Sequence, residues 1–530
     1  MKRSLRLLLC LLLLGCLLCA NAYAQAETAA PEPIQVQCTG ILQEGGFPEG
    51  EAAAQQPLRA AVQSAHSAAG DVKAAIKQGL ASLQETISLA GYQITPGDFN
   101  EAYVQTVNEN PELFFADGSF QYEQDGAHVR NVFPQYQINA VAVSLTEENK
   151  AEIRSRQTAL AQAVDAILAQ VKADWTPLQK ALFLHDYLAV HAQYDTSYQR
   201  YDAYSLLVDK TGVCQAYTLA YQLLLNRVGI ENGTVSSRTL NHIWNTVLLD
   251  DSWYHVDVTW DDPVDDRTGR VLHRYFCISD AKNKTIREGK HYASDLIYEP
   301  RISAGSTQYD TYYWEAVDAA FVPIGSSWYY LQDDQLYATD DPKDSGGVHT
   351  QLLEKWSVIG EPGYTWNDYF SGLSAYNGKL IYNTADTVYA YDPATRIQEI
   401  KHQLPADERG STQIYGTAVE GNTLFYCVGA SPNEPGTVRS VQLDPYTFVP
   451  DGGYAYHLEA GKLQLKPAGT QDKRCVFAAW YGVDGRLLGT CALGSAELTI
   501  SVSGAQTVKI FSVQMPAYTP AREALLLPVN

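Results

Sequence analysis

Three residues of this chain carry side chains that could perform acyl chemistry together: Cys214, His242 and Asp257. Cys214 stands in TGVCQAYTLAYQLLLNRVGI, residues 211 to 230. There Ala216, Leu219, Ala220, Leu223 and Leu224 recur at helical spacing and Gly229 supplies a stop. The helix therefore begins at or beside Cys214, and Gly212 lets the backbone turn sharply just before it. A thiol there meets the positive end of the helix dipole and unpaired N–H groups, surroundings that favour a thiolate. A backbone N–H at the same terminus can also hold an oxyanion. Position alone leaves four readings open: a packed thiol, half of a disulfide, a metal ligand or a nucleophile. A nucleophile needs a base, and the base needs a group that orients it.

Both stand downstream. HIWNTVLL and SWYHVDVTW read as strands joined by a two-residue turn at Asp250-Asp251. That register puts His242 opposite Thr259 and Trp244 opposite Asp257, with all four on one face. His242 and Asp257 become diagonal neighbours, with Cβ atoms at most roughly 7–8 Å apart. The expected link runs from His242 Nδ1–H to the carboxylate, leaving the other ring nitrogen for the Cys214 thiol. Either residue alone has a bland reading, a surface or core histidine and a stray acid. Strands are depleted in Asp, however, which makes a merely structural Asp257 less comfortable.

The runs AYSLLVDKTGVCQAY and NHIWNTVLLDDSWYHVDVTWDDP closely resemble the transglutaminase-like core of many bacterial secreted proteins. The family pattern is G-x-C-x-x-[YA] opening a helix, H-x-W on a strand and D-x-T after the next turn. Gly212, Cys214, Tyr217, His242, Trp244, Asp257 and Thr259 match it position by position. The resemblance implies a papain-like α+β core spanning about 175 to 265, with Cys214 as nucleophile, His242 as base and Asp257 as orienter. Trp244, Tyr194 and Gln215 are assigned to substrate positioning. The oxyanion donor stays open: papain-like enzymes use a Gln upstream of the nucleophile, Gln215 lies downstream, and the Tyr194 hydroxyl could fill the role. PELFF upstream and β-rich domains downstream resemble secreted Gram-positive members.

Other polar clusters read as structural. His185 and His191 lie six apart on one helix, share no metal-binding face, and read as satisfied helix histidines. Asp261, Asp262, Asp265 and Asp266 lack the order and the Gly of an EF-hand loop and read as a solvated acidic loop. No cofactor and no metal site is expected.

The elements that must position the triad come from the organisation of the 530 residues. MKRSLRLLLCLLLLGCLLCANAYAQ has a basic start, an apolar run and an Ala22-Tyr23-Ala24 cleavage signal, the layout of a secretory signal peptide at 1–24. A lipobox ending at Cys16 fits less well, because the apolar run continues past it. No later stretch is apolar enough for a membrane span, so the mature chain is expected to be secreted or attached to the cell surface. Residues 25–55 read as a linker and 56–173 as an α+β domain. In that domain Thr95-Pro96-Gly97 breaks a helix, a turn falls at Asp125-Gly126, and a long helix runs from Glu147 to Val171. The catalytic core is placed at 174–300, its first helix capped by Thr176 with Pro177.

From 301 to 452 strand–turn–strand units recur, marked by Tyr330, Tyr382 and Tyr426 at a spacing typical of propeller blades. Three copies are too few to close a ring, so this is a propeller-like or irregular β-domain. Residues 453–530 read as a small β-sandwich. The fold class is thus multidomain: an α+β papain-like core between an α+β segment and all-β domains.

The formal net charge of −22 argues against nucleic-acid and anionic-membrane partners. Of nine Cys, three leave with the leader, and the other six show no C-x-x-C pair. That excludes a zinc scaffold and a dense disulfide framework. If Asp484-Gly485 is a two-residue turn, Cys475 and Cys491 point to opposite faces and cannot bridge without a bulge.

Two classes of function follow. One is a cysteine acyltransferase acting on protein or peptide carboxamides through a thioester, or a peptidase or amidase with the same triad. The other is a cell-envelope binding protein that keeps the core as a scaffold, its Tyr-rich β-domains (35 Tyr against 14 Phe) contacting carbohydrate or protein.

Overall fold

The computed structural model describes residues 34–36 and 58–528, except 263–267, 352–355, 361, 367, 433–435, 444–448, 451–453, 460–461, 468–473, 484, 494–497, 503, 515–518 and 521–524. The leader, the lipobox and nearly all of the linker lie outside these residues, as do Asp265 and Asp266. The chain divides into two compact units, residues 1–168 with 200–209, and 169–199 with 210–530.

In the first unit, α1 (Leu58–Ala81), α2 (Pro96–Glu109) and α3 (Glu147–Leu168) accompany an antiparallel sheet. Its strand order is β1 (Ile34–Val36), β3 (Ala116–Asp125), β4 (His128–Ile138) and β2 (Ile87–Ser88), with β5 (Val141–Val143) also on β4. Val72, Ile76 and Leu80 of α1, Phe99 and Tyr103 of α2, and Phe120, Val129 and Val132 of the sheet share one core. Thr95-Pro96 is the start of α2 rather than a breaker: Thr95 accepts from the Asp98 amide and Pro96 opens the first turn. The β3–β4 turn lies one residue later than expected, because Asp125 pairs with His128 and Gly126 takes the positive φ of 62°.

The second unit begins with α4 (Pro177–His191). Thr176 and Gln179 cap it reciprocally in a capping box. A two-stranded parallel ribbon of β6 (Gln193–Tyr194) and β7 (Thr211–Gly212) leads into α5 (Cys214–Arg227). A five-stranded antiparallel sheet follows, ordered β11 (Phe276–Ile278), β10 (Ser252–Val256), β9 (His242–Leu249), β8 (Asn232–Ser237) and β12 (Ile297–Glu299). The β9–β10 turn is Asp250-Asp251, both left-handed at φ 49° and 60°, and the pairs Leu249–Ser252 to Asn245–Val256 keep the register expected from sequence. Two short helices, α6 (Val258–Asp261) and α7 (Asp280–Asn283), lie between β10 and β11 and between β11 and β12 in sequence.

Beyond residue 320 the chain is β-rich. Open antiparallel meanders span residues 322–351, 373–403 and 413–442, and no closed barrel or ring of blades is detected among the described residues. Tyr330, Tyr382 and Tyr426 each lie buried on the second strand of their meander. The last two sheets share one apolar core that includes Leu463, Leu465, Val476, Val508 and Ile510. There Cys491 opposes Ala478 and is a free thiol.

A buried polar network ties α4 to the rest of the core. His185 Nδ1 lies 2.8 Å from Asp186 Oδ1 and its Nε2 lies 3.2 Å from Asp261 Oδ2. Asp186 also meets His273 Nε2 at 2.9 Å and accepts from the Phe321 amide at 2.7 Å. Asp261 accepts from the amides of Arg274 and Tyr275. The expectation of a solvated acidic loop is therefore overturned for Asp261 and Asp262, which are buried because they satisfy interior donors. Burial opposes a charge on His185, yet the two carboxylates lift it to about 9.

That value predicts a pH effect on stability. The His185 contribution is complete below its ordinary value of 6.5 and is lost as pH rises through about 9. Within that window each proton is worth about 1.4 kcal/mol per pH unit. Denaturant unfolding of wild type should weaken more steeply from pH 6.5 to 9 than that of His185→Gln. Equal slopes would mean an uncharged ring in the folded protein.

Candidate active site

Cys214 is placed by what precedes it. Tyr194 pairs with Gly212 in the β6–β7 ribbon, and the Asp195 amide donates to the Gly212 carbonyl at 2.9 Å. The extended backbone of Val213 (φ −87°, ψ 178°) then switches to helix at Cys214. Val213 has no side-chain oxygen to cap α5, so none competes for the first-turn amides. Cys214 is a free, partly exposed thiol, and Gln215 beside it is also partly exposed.

The base comes from β9, which starts at His242 directly after the left-handed Asn241. Thr218 of α5 fixes this strand against the Cys214 helix. Its hydroxyl lies 2.9 Å from the Cys214 carbonyl and 3.0 Å from the Ile243 carbonyl, and its own carbonyl accepts from Asn245 Nδ2 at 3.1 Å. One buried side chain thus touches the backbone of the thiol residue and of the residue next to the imidazole.

His242 Nε2 lies 2.6 Å from Asp257 Oδ2, and the Cys214 thiol is a neighbour that acts on the ring electrostatically. The three residues are together, but the nitrogens are exchanged relative to expectation. Nε2 takes the carboxylate, which leaves Nδ1 for the thiol. The cause is that β10 ends at Val256 and Asp257 is the N-cap of α6, its Oδ1 accepting from the Trp260 amide at 3.2 Å. An Asp at an N-cap is favoured, which removes the puzzle of an acid in a strand. Thr259 consequently lies in α6 and does not face His242.

Burial disfavours a charged His242, but the Asp257 carboxylate, the bond to it and the neighbouring Cys214 thiol raise it to about 10. Burial likewise pushes Asp257 up, and the two imidazoles around it hold it well below the usual carboxylate range. Together these favour an imidazolium–carboxylate pair beside the thiol.

Trp244, expected to position substrate, lies inside the core. It is 1% exposed, and its indole N–H donates to His255 Nδ1 at 3.0 Å. An indole can only donate, so His255 carries its proton on Nε2 and gives it to Asp280 Oδ1 at 2.9 Å. The Trp244 ring stacks on His242 at 5.4 Å, and Trp260 packs on it at 5.6 Å. Tyr217 is also fully buried, bonded through its hydroxyl to Asp262. Tyr194 and Gln215 keep positions beside Cys214 in the chain and ribbon.

Sequence reasoning missed Thr218, Trp260, Asn283 and His291. His291 Nε2 lies 2.7 Å from the same Asp257 oxygen that His242 uses, and its Nδ1 meets Asn283 Oδ1. One signal was present: six of the eleven His lie between 185 and 291. Two histidine–carboxylate groups, His185/Asp186/His273 and His242/Asp257/His291, bring metal-ligand atoms within 4.8 Å of one another. Both ring nitrogens of His185, His273 and His291 and Nε2 of His242 already have protein partners.

Residues 162–258 match the model of the transglutaminase-like superfamily. No curated protein matches the chain. Among solved structures, a proposed cysteine protease from Cytophaga hutchinsonii is 16% identical with a TM-score of 0.17, over 20% of this chain and 40% of that one. The extracellular domain of a proposed one-component system from B. thetaiotaomicron is 10% identical with a TM-score of 0.17, over 54% of this chain and 42% of that one. Regucalcin, a calcium-binding protein from Agrobacterium tumefaciens, is 11% identical with a TM-score of 0.15, over 38% and 70%. The chain thus spans less than half the length of the first two, and none of these likenesses bears on what it does. Among the described residues, no helix is long and apolar enough to cross a membrane. The match at 162–258 covers both Cys214 and the His242–Asp257 pair, and that segment is a transglutaminase-like domain.

Proposed function

We propose that this protein is a secreted cysteine acyltransferase of the transglutaminase-like kind, acting on carboxamides of proteins or peptides. The observation that carries the reading is His242 bonded to the Asp257 carboxylate with the Cys214 thiol as its neighbour, the thiol standing at an uncapped helix start.

In this mechanism the Cys214 proton resides on His242. The Cys214 sulfur attacks the carboxamide carbon, and first-turn amides of α5 hold the oxyanion. The C–S bond forms, the C–N bond breaks, and His242 returns the proton to the departing nitrogen, releasing ammonia or an amine. An incoming amine or water then attacks the thioester carbon and gives its proton to His242. The C–S bond breaks and the Cys214 thiol is restored. An amine acceptor yields a cross-link, and water yields deamidation or peptide cleavage. Tyr194 and Gln215, flanking the thiol in the ribbon and helix, are proposed to line the substrate cleft.

The remaining assignments belong to the same proposal. A leader cleaved after Ala24 delivers the chain to the cell surface or beyond, where envelope proteins or peptides are its substrates. A linker at 25–55, an α+β domain at 56–173 and the core at 174–300 precede a propeller-like domain at 301–452 and a sandwich at 453–530. The two β-domains present substrate to the core.

Iodoacetamide labelling read by peptide mass spectrometry tests the nucleophile. Cys214 should label far faster than Cys491, a second partly exposed free thiol, and His242→Ala should remove that advantage. A Cys214 indifferent to His242 would sink the catalytic reading. Amine incorporation measured against peptide cleavage distinguishes transferase from hydrolase. His242→Ala should lower turnover in either assay by roughly 10²- to 10⁴-fold. Turnover should also fall as pH rises through about 10, where His242 loses the proton that the leaving group needs.

A further inference from the structure

We propose that His291, with its tautomer set by Asn283, is a positioning residue of the site: as a neutral ring it donates through Nε2–H to Asp257 and keeps that carboxylate aimed at His242. The inference rests on the catalytic reading of Cys214 and His242, but its geometry can be tested apart from it. His291 lies outside the segment that matches the transglutaminase-like model.

The argument starts from the acceptor. Asp257 is 1% exposed, so its oxygens depend on protein donors. Oδ1 has the Trp260 amide, while Oδ2 meets His242 Nε2 at 2.6 Å and His291 Nε2 at 2.7 Å. The two rings lie 5.7 Å apart. Two imidazolium ions at that separation, out of water and sharing one carboxylate, would repel strongly. One ring must therefore be neutral. His242 has a thiol to take a proton from, whereas His291 has none. His291 packs instead between the rings of Trp244, Tyr275 and Trp260 at 4.4, 4.7 and 4.8 Å.

The titratable and charged neighbours agree. Besides Asp257, the titratable and charged groups around His291 are His242, His255 across the Trp244 ring, Tyr275 through its ring, and Arg287 over Trp260. Burial, His242 and His255 push His291 below its ordinary value, and only Asp257 raises it.

A neutral ring that donates from Nε2 must accept at Nδ1, so it needs a donor there. Asn283 is the residue in place, and its buried Nδ2 has no hydrogen-bond partner while Oδ1 faces Nδ1. Turning the amide over presents Nδ2 to Nδ1, which satisfies the ring and removes the orphaned donor from its present position. The backbone supports a deliberate placement. Between Asn283 and His291 the chain carries two consecutive left-handed non-glycine residues, Arg287 (φ 47°, ψ 48°) and Glu288 (φ 60°, ψ 29°). Such conformations are strained for residues with a Cβ and concentrate at functional sites.

The experiment uses the full chain with ¹⁵N-labelled histidine. The His291 ring should show the neutral Nε2–H tautomer and stay neutral at pH values where an ordinary histidine has already taken up its proton. An imidazolium, an Nδ1–H tautomer or an ordinary titration would overturn the proposal. In parallel, His291→Leu should slow Cys214 alkylation roughly 10- to 100-fold, the range seen when a partner that orients a functional side chain is lost. His291→Gln, whose amide can still donate to Asp257, should recover most of that rate. A leucine variant as reactive as wild type, or a glutamine variant as slow as leucine, would reduce His291 to packing. If wild-type Cys214 is itself unreactive, the catalytic reading fails, while the ring nitrogens still decide the hydrogen bond to Asp257.

Discussion

Asp257 is a buried carboxylate with donors on both oxygens, and the arrangement around it follows from that constraint. An ion taken out of water costs several kcal/mol unless its lone pairs are met. The chain meets them by ending β10 at Val256, so that Asp257 caps α6 through the Trp260 amide, and by bringing two imidazoles to the other oxygen. The same cap turns Trp260 onto His242. With Trp244 stacked on the ring as well, His242 has little freedom to leave the line between carboxylate and thiol.

The device recurs across the core. His255 bridges Trp244 to Asp280, and Asp280 in turn accepts from Tyr298 and Ser303. His185 joins Asp186 to Asp261, and Asp261 is the last residue of the helix that Asp257 begins. Histidine–aspartate pairs therefore hold α4, α6, α7 and the sheet together, and the candidate base is one of several. The difference at His242 is its neighbour, a partly exposed thiol, where the other rings meet oxygens or an indole. Satisfied polar networks of this kind favour one packing over its competitors.

Local chemistry is readable from the residues. The turn at Asp250-Asp251 sets the β9–β10 register, because a two-residue loop fixes which residues pair. The helix at Cys214, the Thr176 cap and the Tyr-marked meanders follow from patterns of similar range. Termination is harder to read. Nothing in SWYHVDVTW says that pairing stops at Val256, so Asp257 reads as a strand residue and the wrong imidazole nitrogen is assigned to it. The commitment of the Trp244 indole to His255 is not legible in sequence either. His291 and Asn283 come from a segment without apolar period, and only folding brings them to Asp257. The acids at 261 and 262 look solvated for the same reason: their partners lie far away in sequence.

The central claim is that the charge on Asp257, relayed through His242, makes Cys214 a nucleophile. The direct measurement is the alkylation rate of Cys214 at neutral pH in wild type and in Asp257→Asn, which keeps the side-chain shape and removes the charge. The account predicts a loss of at least about tenfold in the variant, with far-UV circular dichroism unchanged. An Asp257→Asn variant whose Cys214 reacts as fast as that of wild type would contradict it.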